Sequence, residues 1–333
     1  MKAVVLKDIG APLTVQEVDV PSLEEGEVLV RIKAAALNRR DLWIQKGQYA
    51  GLKFPIILGS DGSGVIEKLS STVEQSWVGQ NVIINPSLNW GDSQAFQSSE
   101  FSILGMPHNG TFAEFVKVNV ENIYAMPEGL SYEEAASLPL AGLTAFRALF
   151  SRAALKATEK VLIVGVGGGV ASIGLLMALK VQAEVYVTSG DQAKIEKSKL
   201  LGATGGENYH NDHWAANLKK ETGGFDVILD SALGPGFGHH LDLAKPGGRI
   251  VFCGSTAGDL PTMNARKIFW KQLSILGTTM GSPSDFRNML YFVNEQKIKP
   301  LIDTVFSIDE ADRAIELMNS SSRFGKIVLK MAI

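Results

Sequence analysis

The chain is poor in cysteine, with Cys253 alone among 333 residues. No intrachain disulfide is possible, and a reducing compartment, the cytoplasm, is the expected location. It also lacks a long apolar run. None reaches the roughly 20 uncharged residues of a membrane-spanning helix, and the most apolar stretch, around 161 to 179, is broken by glycines. The opening MKAVVLKDIG carries Lys7 and Asp8 where a signal peptide would have an apolar core, so no signal peptide and no membrane partner are expected. A strong excess of charge of either sign is missing too. A net charge of -3 gives no general field for polyanions, and nucleic acid is not an expected partner. Arg31, Lys33, Arg39 and Arg40 form a small basic group, but without interleaved aromatics it reads as surface.

What is present is 45% apolar composition over a length sufficient for two cores. The first 125 residues read as short β-branched runs, AVVL, EVLVRIKAAAL, GSGVIEKL and NVIIN, between Gly, Pro, Ser and Asp clusters, which predicts a mainly β unit. Residues 85 to 110 are polar and aperiodic, too long for a plain connection. From 160 the texture changes to continuous apolar runs alternating with helical stretches, the pattern of a parallel, doubly wound α/β sheet. The residues after 281 are too few for a domain and should fold back onto the first lobe. The expected division is 1-126, 127-281 and 282-333.

Within the second region, VLIVGVGGGVA places Gly165, Gly167, Gly168, Gly169 and Val170 between a strand and a helix. Glycines there let backbone N–H groups approach a pyrophosphate at the helix N-terminus. Val170 stands where a strict G-x-G-x-x-G would have its last glycine. The next strand ends in Val187-Thr188-Ser189-Gly190, without the acidic residue that binds the ribose 2′-hydroxyl of NAD. Ser189 with Lys194 suits a 2′-phosphate, so NADPH is the expected cofactor, and Asp191 is expected to cap a helix. His210 and His213 are spaced for one helix face but have no third donor, and they read as a solvated helix start. His239 and His240 are adjacent and receive no site.

Together these features resemble the medium-chain dehydrogenase/reductase superfamily, nearest its zinc-free quinone oxidoreductase branch. The likeness covers essentially the whole chain. It rests on LNRRD at 37 to 41, KGQY at 46 to 49, ILGSDGSGVI at 57 to 66, NGTFAEF at 109 to 115, AASLPLAGLTAFRAL at 135 to 149, LGA at 201 to 203, NY at 208 to 209 and FGKIVL at 324 to 329. The resemblance implies a GroES-like catalytic domain beside a Rossmann domain. In zinc alcohol dehydrogenases of this superfamily a cysteine stands at the position of Asn38 and a His-Glu pair at Ser60 and Asp61. A further ligand falls near Leu140-Ala141, and a cysteine-bearing structural lobe lies where 85 to 110 lies. Against that pattern, this chain is expected to hold no metal.

Without a Lewis acid, simple alcohol oxidation loses its support, whereas an acceptor that spreads incoming hydride charge over a conjugated system needs less help. Quinones and α,β-unsaturated carbonyl compounds are the implied acceptors. By resemblance Asn38, Asp41 and Tyr49 lie near the reacting oxygen, although Asn38 and Asp41 equally suit a cap for the helix beginning RRDLW. Thr144 is implied on the nicotinamide side, and Tyr209, Gly254 and Ser255 along the dinucleotide. The superfamily also includes structural and RNA-binding proteins that keep the cofactor fold, and alcohol or aldehyde reduction with weak metal use is a further alternative. The apolar strand LSILGTTM, 273 to 280, is expected at a sheet edge and predicts a homodimer.

Overall fold

The computed structural model describes residues 1–331. The chain forms two compact units, the first of residues 1–143 and 281–333, the second of residues 144–280. The first division falls later than the sequence reading placed it, because the helix Tyr132–Ala136 packs Ala136 with Ala34, Ala36 and Val328 of the first unit.

The first unit is built on a seven-stranded sheet. Its central strand, Glu27–Ala36, runs antiparallel to Asp61–Leu69, Phe115–Asn119 and Lys326–Lys330. The last of these brings the chain's end into the sheet, with Ile302–Ser307 parallel beside it. A three-stranded sheet of Lys2–Leu6, Thr14–Glu17 and Ile56–Ile57 shares the same apolar core. Two glycines of the ILGSDGSGVI stretch serve close packing. A β-carbon on Gly64 would stand 2.1 Å from the carbonyl oxygen of Arg31, and one on Gly59, at φ +98°, would meet the Phe112 ring at 2.4 Å. That glycine framework is therefore required by sheet and loop packing whatever the side chains between do.

The second unit is a six-stranded sheet in which every pairing is parallel. Its spatial order is Gly205–Asn208, Glu184–Ser189, Lys160–Val164, Phe225–Asp230, Ala244–Phe252 and Ser274–Gly277. This is the 3-2-1-4-5-6 order of a Rossmann fold, with the reversal beside the first strand, where such sheets open a crevice for ligands. After its opening lysine the strand Lys160–Val164 is continuously apolar because both faces of the sheet are covered, here by helices including Gly169–Lys180 and Trp214–Thr222. Among the described residues no helix is long and apolar enough to cross a membrane.

Candidate active site

Three segments of the first unit converge on one buried polar cluster. Asn38 follows the end of the strand Glu27–Ala36, Asp61 pairs with Ala36 across the sheet, and Lys326 opens the strand whose Val328 pairs with Ala36 from the other side. The Lys326 ammonium donates to Asp61 Oδ2 at 2.9 Å, to Asn38 Oδ1 at 2.7 Å and to the Leu37 carbonyl at 2.9 Å. Asn38 Nδ2 donates to Asp61 Oδ2 at 2.9 Å, and the Leu140 N–H donates to Asp61 Oδ1 at 2.8 Å. Each oxygen of Asp61 is thereby occupied and each proton of the ammonium has a partner. The pair is buried, and its hydrogen bonds are what make the burial of two charges tolerable.

Asp41 lies one helical turn away and is fully buried. Its Oδ2 accepts the Asn38 N–H at 2.7 Å, half of a capping box for the helix Arg39–Gln45. Its Oδ1 has no hydrogen-bond partner. Burial pushes its carboxyl up to about 6, with the Asp61 charge adding to the rise and Arg40, the Asn38 N–H and Lys326 opposing it. Of the two sequence readings of Asn38 and Asp41, the cap is formed. The backbone N–H of Asn38 and Asp41 Oδ2 make the cap, while the Asn38 side chain belongs to the Asp61–Lys326 cluster.

Arg40 corrects one sequence expectation. The sequence places it in a small surface group, but its side chain is buried. Its Nη1 donates to Ser60 Oγ at 2.7 Å and to the Leu104 carbonyl at 2.8 Å, and its Nε to Tyr49 Oη at 3.3 Å. Longer contacts of 3.4 Å reach the carbonyls of Ile103 and Met106. The guanidinium also lies over the Tyr49 ring, 5.0 Å from its centre. Arg40, two residues past the N-cap, can be buried because Ser60 and the carbonyls of the 103–106 segment accept its protons. Of the other three basic residues, Arg31 is exposed and paired with Glu67 at 2.6 Å. Arg39 donates to the Met318 carbonyl at 3.0 Å.

A tetrahedral zinc needs several thiolate, imidazole or carboxylate donors. Among the described residues no group of three or more His, Cys, Asp or Glu side chains stands together. Asp61 is already bound by an ammonium, and Ser60 by a guanidinium. The residues present do not fit the metal. The 85 to 110 section is organised by other means, with the buried Trp90 against Phe101 and its indole N–H on the Ser93 carbonyl at 2.7 Å.

In the second unit, Gly165, Gly167 and Gly168 form the turn between the strand Lys160–Val164 and the helix Gly169–Lys180, with Gly168 at the N-cap and Val170 in the first turn. Gly165 has φ +68°, and a β-carbon on Gly165 or Gly168 would meet nothing within 4 Å. The backbone there faces open space, as a pyrophosphate cradle must. The Tyr209 N–H bonds the Ser189 carbonyl at 3.1 Å, which places NY beside the end of the second strand. Tyr209 and His210 stack edge to face at 4.9 Å and cover Gly190, whose β-carbon position lies 2.8 Å from Tyr209 Oη. Asp191 caps its helix through the Ala193 N–H at 2.9 Å, as expected. Lys194 is buried, which sets it apart from a solvated helix lysine. Gly254 and Ser255 are exposed after the strand Ala244–Phe252, and Thr144 is buried in the helix Pro139–Phe146. His213 is the N-cap of the helix Trp214–Thr222, so it and His210 precede that helix and do not share a face of it.

Sequence reasoning missed Arg40, Lys326 and the buried pair His240–Asp230, joined at 2.8 Å. Lys326 left one trace, a lysine at the start of an otherwise apolar strand GKIVLKM.

Residues 24–128 match the alcohol dehydrogenase GroES-like domain family, and residues 169–295 match the zinc-binding dehydrogenase family. A zinc-type alcohol dehydrogenase-like protein of Schizosaccharomyces pombe is 35% identical, covering 95% of this chain and 94% of its own. An acryloyl-coenzyme A reductase of Sulfurisphaera tokodaii is 28% identical, covering 99% of this chain and 100% of its own. A crystal structure titled as an NAD-dependent alcohol dehydrogenase superposes with a TM-score of 0.94 at 35% identity, covering all of both chains.

Proposed function

This chain belongs to the medium-chain dehydrogenase/reductase superfamily, as an oxidoreductase with a GroES-like unit and a Rossmann unit, and from that premise we propose that it transfers hydride from NADPH to quinones or α,β-unsaturated carbonyl compounds without zinc. The observation that carries the reading is the Asn38–Asp61–Lys326 cluster. A protein ammonium takes up the carboxylate that a metal would need, and a neutral amide stands where a thiolate would.

NADPH, when bound, supplies the hydride. The glycine turn at 165–168 gives its diphosphate backbone N–H groups and a helix N-terminus. Ser189 and Lys194 receive the 2′-phosphate, Tyr209 flanks the adenosine, and Thr144, Gly254 and Ser255 line the remainder. On the acceptor side, the half-buried Tyr49 offers a hydroxyl to the oxygen on which charge develops. Asn38 and Asp41 act behind it, fixing the turn that presents Arg39–Gln45. The acryloyl-coenzyme A reductase relative supports an acceptor with a carbonyl-conjugated double bond.

The test is oxidation of NADPH and of NADH with a panel of quinones and enones, beside alcohols and aldehydes, together with elemental analysis. Enone or quinone turnover that survives a chelator, without stoichiometric zinc, is the expected result. Alcohol turnover with NAD and one zinc per chain would favour the activity that the 35%-identical neighbour's title states and overturn the proposal. Tight NADPH binding with no turnover would favour a structural or RNA-binding role.

A further inference from the structure

Arg40 is a buried cation whose hydrogen bonds all go to neutral oxygens: the Ser60 and Tyr49 hydroxyls and three backbone carbonyls. No carboxylate pairs with it at ion-pair distance among the described residues; its charge reaches the buried Asp41 carboxyl only through space, without a bond to it. Burying a charge without a bonded counter-ion is costly, and such a group is positioned to act on an anion that arrives later. Of its two side-chain partners, Ser60 is fully buried and Tyr49 is not. The Tyr49 oxygen accepts from Arg40 Nε, so its own hydrogen is left to donate, and the ring is only half buried.

We propose that Arg40 and Tyr49 form an oxyanion site, Tyr49 donating to the anionic oxygen of a planar conjugated ligand, an enolate or a phenolate, with the Arg40 guanidinium behind it supplying the positive charge. The proposal rests on the reductive reading above and names the group that takes over the role of the Lewis acid. As hydride adds to the β-carbon of the acceptor, the C=C π pair forms the new bond between the α-carbon and the carbonyl carbon, the carbonyl π pair moves onto oxygen, and the resulting enolate oxygen is held by the Tyr49 hydroxyl. A proton from solvent then adds to the α-carbon, leaving NADP+ and the saturated carbonyl compound. Tyr49 touches the ligand. Arg40 acts through it and is a positioning residue.

The probe is 4-nitrophenol, whose bound phenolate is coloured and which needs no turnover. The wild-type protein, titrated with and without NADP+, should bind the phenolate form. Arg40→Gln and Tyr49→Phe should each weaken that binding about tenfold or more, the range of a charge-assisted hydrogen bond. Arg40→Lys should recover part of the loss. In a Tyr49→Phe background, Arg40→Gln should cost little further, because the charge acts through the hydroxyl. Tyr49→Phe leaves every carbonyl contact of Arg40 in place, so it reads the site even where an Arg40 variant folds poorly. Unchanged phenolate affinity in Tyr49→Phe, or fully additive losses in the double variant, would overturn the proposal. Enone turnover with unchanged phenolate binding would sink this site and leave the reductive reading standing. Tyr49-dependent phenolate binding without enone turnover would do the reverse.

Discussion

Lys326 Nζ lies 2.9 Å from Asp61 Oδ2, with both side chains almost completely buried and the two residues 265 positions apart in the chain. The pair joins the last strand of the first unit's sheet to the segment that would carry metal ligands in a zinc enzyme. It also determines what breaking it would do.

Lys326→Met should destabilise the protein by about 3 to 5 kcal/mol, because it leaves the Asp61 charge buried with only the Asn38 amide and the Leu140 N–H. Lys326→Met combined with Asp61→Asn should recover a large part of that loss, since no charge then remains to be compensated. Urea unfolding of the two variants beside wild type measures both values. Equal destabilisation in single and double variants would show that packing, and not the charge, matters there.

Asp41 carries a pH dependence of definite sign. Its folded carboxyl, pushed up to about 6 by burial, binds a proton more readily than in the unfolded chain. Its contribution therefore favours the folded state most below about pH 4, declines as pH rises, and reaches its full penalty above about pH 6. Asp41→Asn removes this titration and keeps an oxygen for the Asn38 N–H. From pH 4 to 7 the wild type should lose about 1 to 3 kcal/mol relative to the variant. A constant difference between the two across that range would show that the carboxyl does not titrate there.

Much of the second unit was legible in the sequence, because a glycine turn between an apolar strand and a helix is a local pattern. The Gly165–Gly168 turn and the Asp191 cap are both made by residues close together in the chain. The return of the last segment to the first unit was legible too, from its length alone. Arg40 and Lys326 were not. Lys326 finds Asn38 and Asp61 only once the sheet has assembled, and a lysine opening a strand looks like any strand-end charge. Arg40 reads as one more exposed arginine until the 103–106 segment, some 60 residues on, supplies the carbonyls that let it be buried. Glycine spacing records backbone geometry, whereas the partners of a buried cation are fixed by tertiary contacts.

Cofactor choice should turn on the end of the strand Glu184–Ser189. Lys194→Ala is expected to weaken NADPH binding by about 1 to 3 kcal/mol and leave NADH nearly unchanged, as for loss of one charge-assisted phosphate contact. Fluorescence titration of both nucleotides decides it. Equal losses for the two would place Lys194 away from the 2′-phosphate, and tighter wild-type binding of NADH would overturn the preference itself.

The strand Ser274–Gly277 ends the six-stranded sheet, with Ala244–Phe252 as its one neighbour among the described strands. An open edge with apolar residues is a template for pairing with another chain. Ile275 and Leu276 are only half buried, and no charged side chain interrupts 272 to 284. Just before the strand, Phe269 and Trp270 are 64% and 83% exposed, a large apolar surface to leave in water. The chain's own last strands do not cover this edge by pairing, since Ile302–Ser307 and Lys326–Lys330 belong to the other sheet. A two-fold homodimer that pairs this edge with its symmetry mate would satisfy the backbone and cover those side chains together. Light scattering at micromolar concentration should therefore give twice the 35.8 kDa chain mass, and a monomer would exclude the dimer. Lysine at Leu276 or at Thr278, whichever faces the partner, should raise the monomer fraction. If neither does while the dimer persists, the interface lies elsewhere, and Trp270→Ser is the next position to test.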